Sequence, residues 1–426
     1  MTKVVNFLLI GIKVGVILIL LTPLVLGPFG LSLSNYPKTI FFRTLVEIIF
    51  VFYLLLVFFD PKYLPKISIL VLAVSLYAGV LLLTSFLGFN FFRSFFGDLY
   101  RVEGVILYLH LLTFFLIIIS IFPKKEDWFL FFKITAIVSA FSSFAGILQK
   151  LGIFQFYGLG LPGRISGTWT NPDFFGPYIV LTIFLGIIVL LDEKNKNWRA
   201  IWASILILNF ITLILSGTRA SWIGFGIGIV FLVLLNRRKR KIILLGALGF
   251  VLLVLLLVLN QEKLSLAENV LFQRAVSIFD IETLLKSSRL PVWQTAIRAW
   301  EERPIFGWGP ESFSYLYDKY FKASYLQSIP KNINFDRPHN KILEVMTSSG
   351  VIGLLSYLLI FSAIFFCLYR ARKKNPVLIL ILTAFFISYF VQNLFCFDTI
   401  GTYLLFFLVL GFINNNLQCK NSYKLF

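Results

Sequence analysis

The sequence predicts an all-α, polytopic membrane protein of about twelve transmembrane helices, with one large extracytoplasmic loop that contains short helices. Of its 426 residues, 58% are hydrophobic and only 14% are charged, whereas soluble domains carry about 25% charged residues. The apolar residues also come in runs of about 20, the length that crosses about 30 Å of hydrocarbon. One soluble core cannot bury this much apolar surface, so a lipid bilayer must cover it.

Hydropathy places the spans at residues 4–26, 40–59, 67–88, 104–122, 128–149, 173–191, 199–215, 219–235, 241–260, 343–369, 376–395 and 399–413. The first apolar run is too long for a signal peptide and no cleavage site follows it, so we expect an anchor. Residues 261–342 form a connection much longer than the others between predicted spans. We therefore look for functional residues there first.

The net charge of +19 does not indicate nucleic-acid binding, because its distribution follows the predicted spans. The short even-numbered connections contain Lys62, Lys66, Lys124, Lys125, Lys194, Lys196, Arg199, the run Arg237 to Lys241, Arg370, Arg372, Lys373 and Lys374. The short odd-numbered connections contain Lys38, Arg43, Arg93, Arg101, Lys150, Arg164 and Arg219. Since positive residues mark the cytoplasmic side, we expect a bacterial inner-membrane protein with both termini cytoplasmic and residues 261–342 outside.

Two stretches on the predicted outer face suit an anion. In "GRISGTWTNPDFFG" (163–176), Asn171 and Pro172 suit the cap and first turn of the next span, with Arg164 upstream. "SGTRASW" (216–222) is a whole connection between spans, so it fixes Arg219 at a helix start. Free N–H groups, the helix dipole and a guanidinium together favour an anion. The alternative is an arginine that only reaches toward the interface.

The long loop contains helix signals of its own. In "RLPVWQTAIRAWEERP", Pro291 suits a first turn and Pro304 a helix end. Trp293, Ala296, Ile297 and Trp300 recur at helical spacing and predict one apolar face. A second set follows the Gly-Trp-Gly-Pro turn: Phe313, Leu316, Tyr317, Tyr320 and Phe321. These aromatics fit an interface belt or a sugar-stacking surface equally well. Arg289, just before the first helix, is a third outer cation.

The chain has two histidines. His339 lies where the loop meets the tenth span, and an imidazole with a pKa near 6.5 accepts a proton from a hydroxyl at neutral pH. Its alternative role is a hydrogen-bonded helix cap. Beside an anion site on the same face, catalysis is favoured. His110 lies among leucines in the fourth span, where a hydrogen-bonded interior residue is the simpler interpretation.

Intramembrane charges support a different class of function. Arg43 and Glu47 are four residues apart and suit an ion pair, and Lys13 lies near the middle of the first span. A transporter or flippase of lipid-linked glycans would use such groups. However, the sequence shows no internal repeat and no matching pair of broken spans, which are typical of transporters.

Four blocks together resemble the O-antigen ligase family, which includes many O-antigen and exopolysaccharide polymerases. They are "RISGTWTNPDFFGPY", "SGTRASW", "RLPVWQTAIRAWEERPIFGWGPESF" and "RPHNKILEVMTSSGVIGLL". The resemblance covers about residues 160–410. It divides the chain into N-terminal transmembrane helices (1–160), a ligase-like catalytic region (161–413) that includes the loop 261–342, and a cytoplasmic tail (414–426).

The resemblance implies a metal-independent, inverting glycosyltransferase without a cofactor. Such an enzyme moves a glycan from undecaprenyl diphosphate to an acceptor sugar hydroxyl, on a lipid A core in a ligase or on a second lipid-linked glycan in a polymerase. By position, Arg219 and Arg289 correspond to the family's diphosphate-binding arginines and His339 to its essential histidine. Arg164 and Asn340 are further substrate-binding candidates. The sequence leaves ligase and polymerase open.

Overall fold

A computed structural model describes residues 2–27, 35–98, 101–153, 163–235, 270–277, 289–322 and 335–417. In these ranges the chain forms fifteen α-helices and no strand. Eleven are apolar and long: α1 Thr2–Leu20, α2 Tyr36–Phe59, α3 Ile69–Leu87, α5 Val105–Ile121, α6 Lys125–Lys150, α7 Pro172–Asp192, α8 Lys196–Leu215, α9 Arg219–Leu235, α13 Lys341–Ala371, α14 Pro376–Gln392 and α15 Ile400–Asn416. Four are short: α4 Phe91–Phe96, α10 Val270–Val276, α11 Arg289–Glu302 and α12 Phe313–Tyr320.

The eleven long helices coincide with eleven of the twelve predicted spans. Seven of them are long and apolar enough to cross a membrane by length and composition, and α5, α9, α14 and α15 are shorter apolar helices. The predicted ninth span, 241–260, and the basic run before it lie outside the described residues. The chain is therefore an all-helical polytopic membrane protein, as the sequence predicts.

Two helices form the centre of the bundle. Nearly every residue of α15 and most of α7 are buried, and α7 packs against α6, α8, α14 and α15. In contrast, α1, α2 and α8 leave many large apolar side chains exposed, for example Phe7, Phe58 and Ile207. This pattern fits a bundle whose outer helices face lipid.

Alternate connections lie at opposite ends of the bundle. At one end Ser68, before α3, contacts Asn414 near the end of α15, and Asn415 donates to the carbonyl of Phe122 after α5. The described members of the basic set in the even-numbered connections belong to this end. At the other end the connections α6–α7 and α8–α9 meet through hydrogen bonds from Arg164. The candidate site residues lie at this second end.

The long loop is attached to a break in α13. Gly350 has φ +62°, and a side chain there would collide with the backbone of Ile305. The loop fills the break: the amide of Trp308 donates to Thr347 O at 2.8 Å, and that of Val351 donates to Pro304 O at 2.8 Å. The predicted span 343–369 is therefore interrupted at Gly350, because the loop backbone replaces helical hydrogen bonds there.

The loop helices confirm their predicted positions but not every predicted face. α11 begins at Arg289 and ends before Pro304, and α12 buries Phe313, Leu316 and Tyr317. The buried face of α11, however, consists of Pro291, Val292, Thr295, Ala296 and Ala299, and Ile297 is exposed. Trp293 and Trp300 are half-buried, and their indole N–H groups donate to the carbonyls of Pro338 and Pro304.

The intramembrane charges have different partners from those the spacing suggested. Glu47 contacts His110 at 2.9 Å, so the expected partner, Arg43, is replaced by a residue of a neighbouring helix. His110 also contacts the carbonyl of Ile106 at 2.6 Å, which confirms it as a hydrogen-bonded interior residue. Lys13 is exposed on α1.

Candidate functional site

The turn between α8 and α9 places Arg219 at a helix start. Gly217 adopts φ +63°, which glycine allows without strain, and Ser216 caps the preceding helix. Arg219 is then the first residue of α9, where unpaired backbone N–H groups and the helix dipole favour an anion. Its Nη1 donates to Ser277 Oγ at 3.1 Å, so the guanidinium also contacts the α10 segment.

Arg164 joins this turn to the start of α7. Its Nε donates to Ser216 O at 2.7 Å, and its Nη2 donates to Asp173 Oδ1 at 2.6 Å and to Thr218 Oγ1 at 3.0 Å. The predicted cap of α7 is confirmed: Asn171 accepts from the amide of Asp173 at 2.8 Å, and Pro172 begins the helix. Arg164 therefore contacts both the α8–α9 turn and the start of α7, and its side chain is only 4% exposed.

Two more arginines complete what we call the arginine cluster: Arg164, Arg219, Arg274 and Arg289. Arg274 donates from Nε to Gly217 O, and Arg219 interacts electrostatically with both Arg164 and Arg289. Arg289, at the start of α11, has no hydrogen-bond or ion-pair partner among the residues that the structure describes.

The arginine cluster carries more positive charge than its surroundings balance. Burial and the neighbouring arginines Arg164, Arg219 and Arg289 lower the pKa of Arg274 to about 10, against the opposing effect of Asp173. Among the described residues, one carboxylate, that of Asp173, forms an ion pair with the cluster, through Arg164. Cations held this close, and partly out of water, create a strong site for a polyanion.

His339 lies beside the arginine cluster, in an unusual backbone conformation. Its φ is +51°, a left-handed value that few residues other than glycine adopt. The imidazole is half-buried, with its ring centroid 5.0 Å from that of Phe397 and 5.8 Å from that of Phe335. It forms no hydrogen bond with any residue in the described ranges.

The helix cap is Asn340 and not His339. The side-chain oxygen of Asn340 accepts from the amides of Ile342 and Leu343 at 3.0 and 3.2 Å. The alternative role for His339, a hydrogen-bonded cap of α13, is therefore taken by its neighbour. Its imidazole is left available for chemistry.

Electrostatics keeps His339 neutral. Burial and the nearby Arg289 lower the pKa of His339 to about 4, against the opposing effect of Asp336 and Asp173. Asp336 is in turn held by Arg101, whose Nε donates to it at 2.7 Å, and Arg101 stacks on Phe397 at 4.3 Å. The imidazole is thus in the form that accepts a proton, beside a surplus of positive charge.

The sequence predicted part of this site. The structure brings Arg164, Arg219, Arg289 and His339 to one end of the bundle, as expected for a single site, and Asn340 is adjacent. It adds Arg274, which lies in a stretch of the loop without helical periodicity or a motif. The one available signal was its charge on the face with fewer positive residues.

Comparisons with known proteins agree with the resemblance seen in the sequence. The family model described as O-antigen ligase matches residues 203–358. The chain is 26% identical over 306 residues to the ComP-specific O-oligosaccharyltransferase of Acinetobacter baylyi, covering 70% of this chain and 52% of that protein. It is 26% identical to an uncharacterized protein of Haemophilus influenzae, covering 57% and 62%, and 23% identical to a teichuronic acid biosynthesis protein of Bacillus subtilis, covering 49% and 42%.

The resemblance to the O-antigen ligase family is confirmed by these matches. The chain spans between about four tenths and six tenths of the length of these relatives. The matched region contains Arg219, Arg274, Arg289 and His339, and it lacks Arg164.

Proposed function

We propose that this chain, whose residues 203–358 match the O-antigen ligase family, is a membrane glycosyltransferase that uses a polyprenyl-diphosphate donor. It moves a glycan from undecaprenyl diphosphate to an acceptor sugar hydroxyl, on a lipid A core or on a second lipid-linked glycan. The observation that carries this proposal is the arginine cluster beside a neutral histidine with no described hydrogen-bond partner. The similarity to proteins such as the O-oligosaccharyltransferase of Acinetobacter baylyi supports it.

The arginine cluster is the proposed diphosphate site. Arg219 and Arg289 bind the diphosphate, the free N–H groups at the start of α9 add donors, and Arg274 supplies further charge. Arg164 fixes the α8–α9 turn through Ser216 and Thr218. Because the lipid diphosphate leaves with developing negative charge, donors already in place lower the barrier without reorganising. Arg219, Arg289 and Arg274 supply this stabilisation, so we propose transfer without a divalent metal.

His339 is the proposed base. The acceptor oxygen forms a bond to the anomeric carbon from the face opposite the diphosphate, and the bond from that carbon to the diphosphate oxygen breaks with its electron pair. The anomeric configuration is thereby inverted. The hydroxyl proton passes to His339, which then returns it to water or to the released diphosphate. General bases contribute about 10²–10⁴-fold to such steps.

The charge at the two ends of the bundle supports one orientation of the chain. We propose that the basic end faces the cytoplasm, by the positive-inside rule, in a bacterial inner membrane. The arginine cluster and the loop then face the periplasm, where lipid-linked glycan and a water-borne hydroxyl meet.

Cysteine labelling tests this orientation. In intact spheroplasts, a membrane-impermeant maleimide should label Gln294→Cys, on the exposed side of α11. It should label Asn197→Cys, at the start of α8, only after lysis, because that connection lies at the basic end. The parent for both variants lacks the three native cysteines. Labelling of Asn197→Cys but not Gln294→Cys in intact spheroplasts would contradict an outward-facing site.

Diphosphate binding should raise the pKa of His339. In the free protein Arg289 contributes to lowering this pKa to about 4. A bound diphosphate offsets that charge, so we expect a rise of about one unit or more on adding undecaprenyl diphosphate. The measurement is NMR of histidine-labelled protein over a pH series, which resolves two histidines. Arg289→Ala should raise the pKa by itself. An unchanged pKa of His339 at saturating lipid would contradict the proposed proximity.

A further inference from the structure

Arg337, two residues before His339, is the centre of a buried ionic cluster. It is 3% exposed and its guanidinium meets three carboxylates. Nη1 donates to Glu344 at 2.6 Å, while Nη2 donates to Glu311 at 2.5 Å and to Glu103 at 3.1 Å. We call Arg337, Glu103, Glu311 and Glu344 the Arg337 cluster.

The three carboxylates come from three separate parts of the fold. Glu103 precedes α5, Glu311 lies in the turn before α12, and Glu344 is in the first turn of α13. A planar guanidinium with five donors can bind several carboxylates at fixed angles, which an ammonium cannot do. Arg337 therefore connects the bundle, the loop and the start of α13 at one point.

The local charge makes this connection sensitive to substitution. Burial raises the pKa of Glu103 to about 7 despite its contact with Arg337, and burial also raises the pKa of Glu311. Carboxylates in such surroundings depend on the guanidinium for their charge. Removing one partner from a buried ion pair leaves an unbalanced charge, which is strongly unfavourable.

Three strained backbone positions lie in or next to the Arg337 cluster. Among the described residues, those other than glycine with positive φ are Val102, Glu311 and His339, at +56°, +60° and +51°. Glu311 belongs to the Arg337 cluster, Val102 precedes Glu103, and His339 follows Arg337 by two residues. Left-handed conformations of such residues persist where surrounding contacts fix them, and they concentrate at functional sites.

The backbone around His339 is also held from the other side. Pro338 O accepts from the indole N–H of Trp293 at 3.0 Å, and the amide of Lys341 donates to Asn393 O at 2.8 Å. The His339 imidazole itself forms no such bond in the described structure. Its direction is therefore set by its backbone, and that backbone is fixed by its neighbours.

We propose that Arg337 is a positioning residue whose contacts with Glu103, Glu311 and Glu344 hold His339 in its left-handed conformation, with the imidazole directed at the arginine cluster. Arg337 itself is assigned no contact with substrate, because it is buried and both Nη1 and Nη2 donate to carboxylates. The consequence for catalysis rests on the proposed function. The consequence for the conformation of His339 does not.

The test combines kinetics with histidine NMR on the full chain in lipid nanodiscs. Arg337→Lys keeps the charge and loses the three-way geometry. We expect kcat to fall by about 10²-fold, the effect of a small misplacement of a catalytic group, with the affinity for undecaprenyl diphosphate unchanged within about twofold. The signals of His339 should move and those of His110, on α5, should not.

Glu311→Gln is the milder variant, because the amide retains a hydrogen-bond acceptor and loses the charge. It should shift the His339 signals by less and lower kcat by about 10-fold. Lys133→Met is the matched control, since it breaks an ion pair with Glu193 at the basic end. It should lower the melting temperature while leaving the His339 signals and kcat unchanged.

Unchanged His339 signals in either inserted variant would overturn the positioning role. So would loss of donor affinity equal to the loss in kcat, which would assign Arg337 to binding. If Arg337→Lys does not insert into the membrane, Glu311→Gln alone tests the positioning role. A wild-type chain that transfers no glycan would refute the proposed function, yet the NMR comparison would still test how His339 is held.

Discussion

Replacing Arg219 with alanine is expected to lower the rate of glycan transfer by about 10²–10³-fold, the usual effect of removing one preorganised donor to a developing negative charge. Arg289→Ala should act similarly, because Arg289 belongs to the same arginine cluster and interacts electrostatically with Arg219. Arg219→Lys should recover only part of the rate, since an ammonium retains the charge but not the forked geometry. The measurement is single-turnover transfer by purified protein with saturating donor.

Arg298→Ala is the control for the arginine variants. It removes a cation from α11, the helix that begins with Arg289, without touching the arginine cluster, and transfer should stay within about twofold. Equal losses in Arg298→Ala and Arg289→Ala would indicate a general effect of loop charge. That result would contradict a specific diphosphate site.

Removing the imidazole of His339 should have the largest effect, a fall in transfer of about 10²–10⁴-fold. His339→Asn is the informative variant, because asparagine tolerates a positive φ better than most residues. His339→Ala adds backbone strain to the lost base, so it should be at least as slow and less stable. Binding of the lipid-linked donor should remain largely intact in His339→Asn, since the arginine cluster is untouched.

The other histidine provides the control for this experiment. His110→Gln retains a hydrogen-bonding side chain beside Glu47 and should transfer at close to the wild-type rate. Normal transfer by His339→Asn in folded, membrane-inserted protein would exclude the imidazole from the reaction. Loss of donor binding in the same variant would place His339 in the diphosphate site instead.

The membrane architecture was predictable because span length and apolar composition are local properties. Eleven predicted spans coincide with helices, and Asn171 caps α7 as its sequence suggests. Contacts between helices were harder to predict from the sequence. Spacing paired Arg43 with Glu47, whereas packing of α5 against α2 supplies His110 to Glu47. Similarly, the break at Gly350 depends on the loop backbone, which no pattern within α13 reveals.

The candidate site likewise contains some residues that the sequence identifies and others that it does not. Arg219 and His339 were identifiable because each is a rare residue type at a predicted helix boundary. Arg274 and the Arg337 cluster were not identifiable, because their partners are distant in the sequence: Arg337 contacts Glu103, which is 234 positions away. On α11, hydrophobicity correctly selected Ala296 for the buried face but also selected Trp293 and Ile297, whereas packing selected smaller residues that permit close approach, such as Thr295 and Ala299.

Donor binding by an Arg219→Ala, Arg289→Ala double variant tests the central claim most directly. Binding of undecaprenyl diphosphate to purified wild-type and variant protein in nanodiscs would be compared, with Arg298→Ala as the control. A diphosphate held by the arginine cluster predicts saturable wild-type binding that is lost in the double variant and retained in the control. Normal binding of undecaprenyl diphosphate by the folded double variant would contradict the assignment of this site.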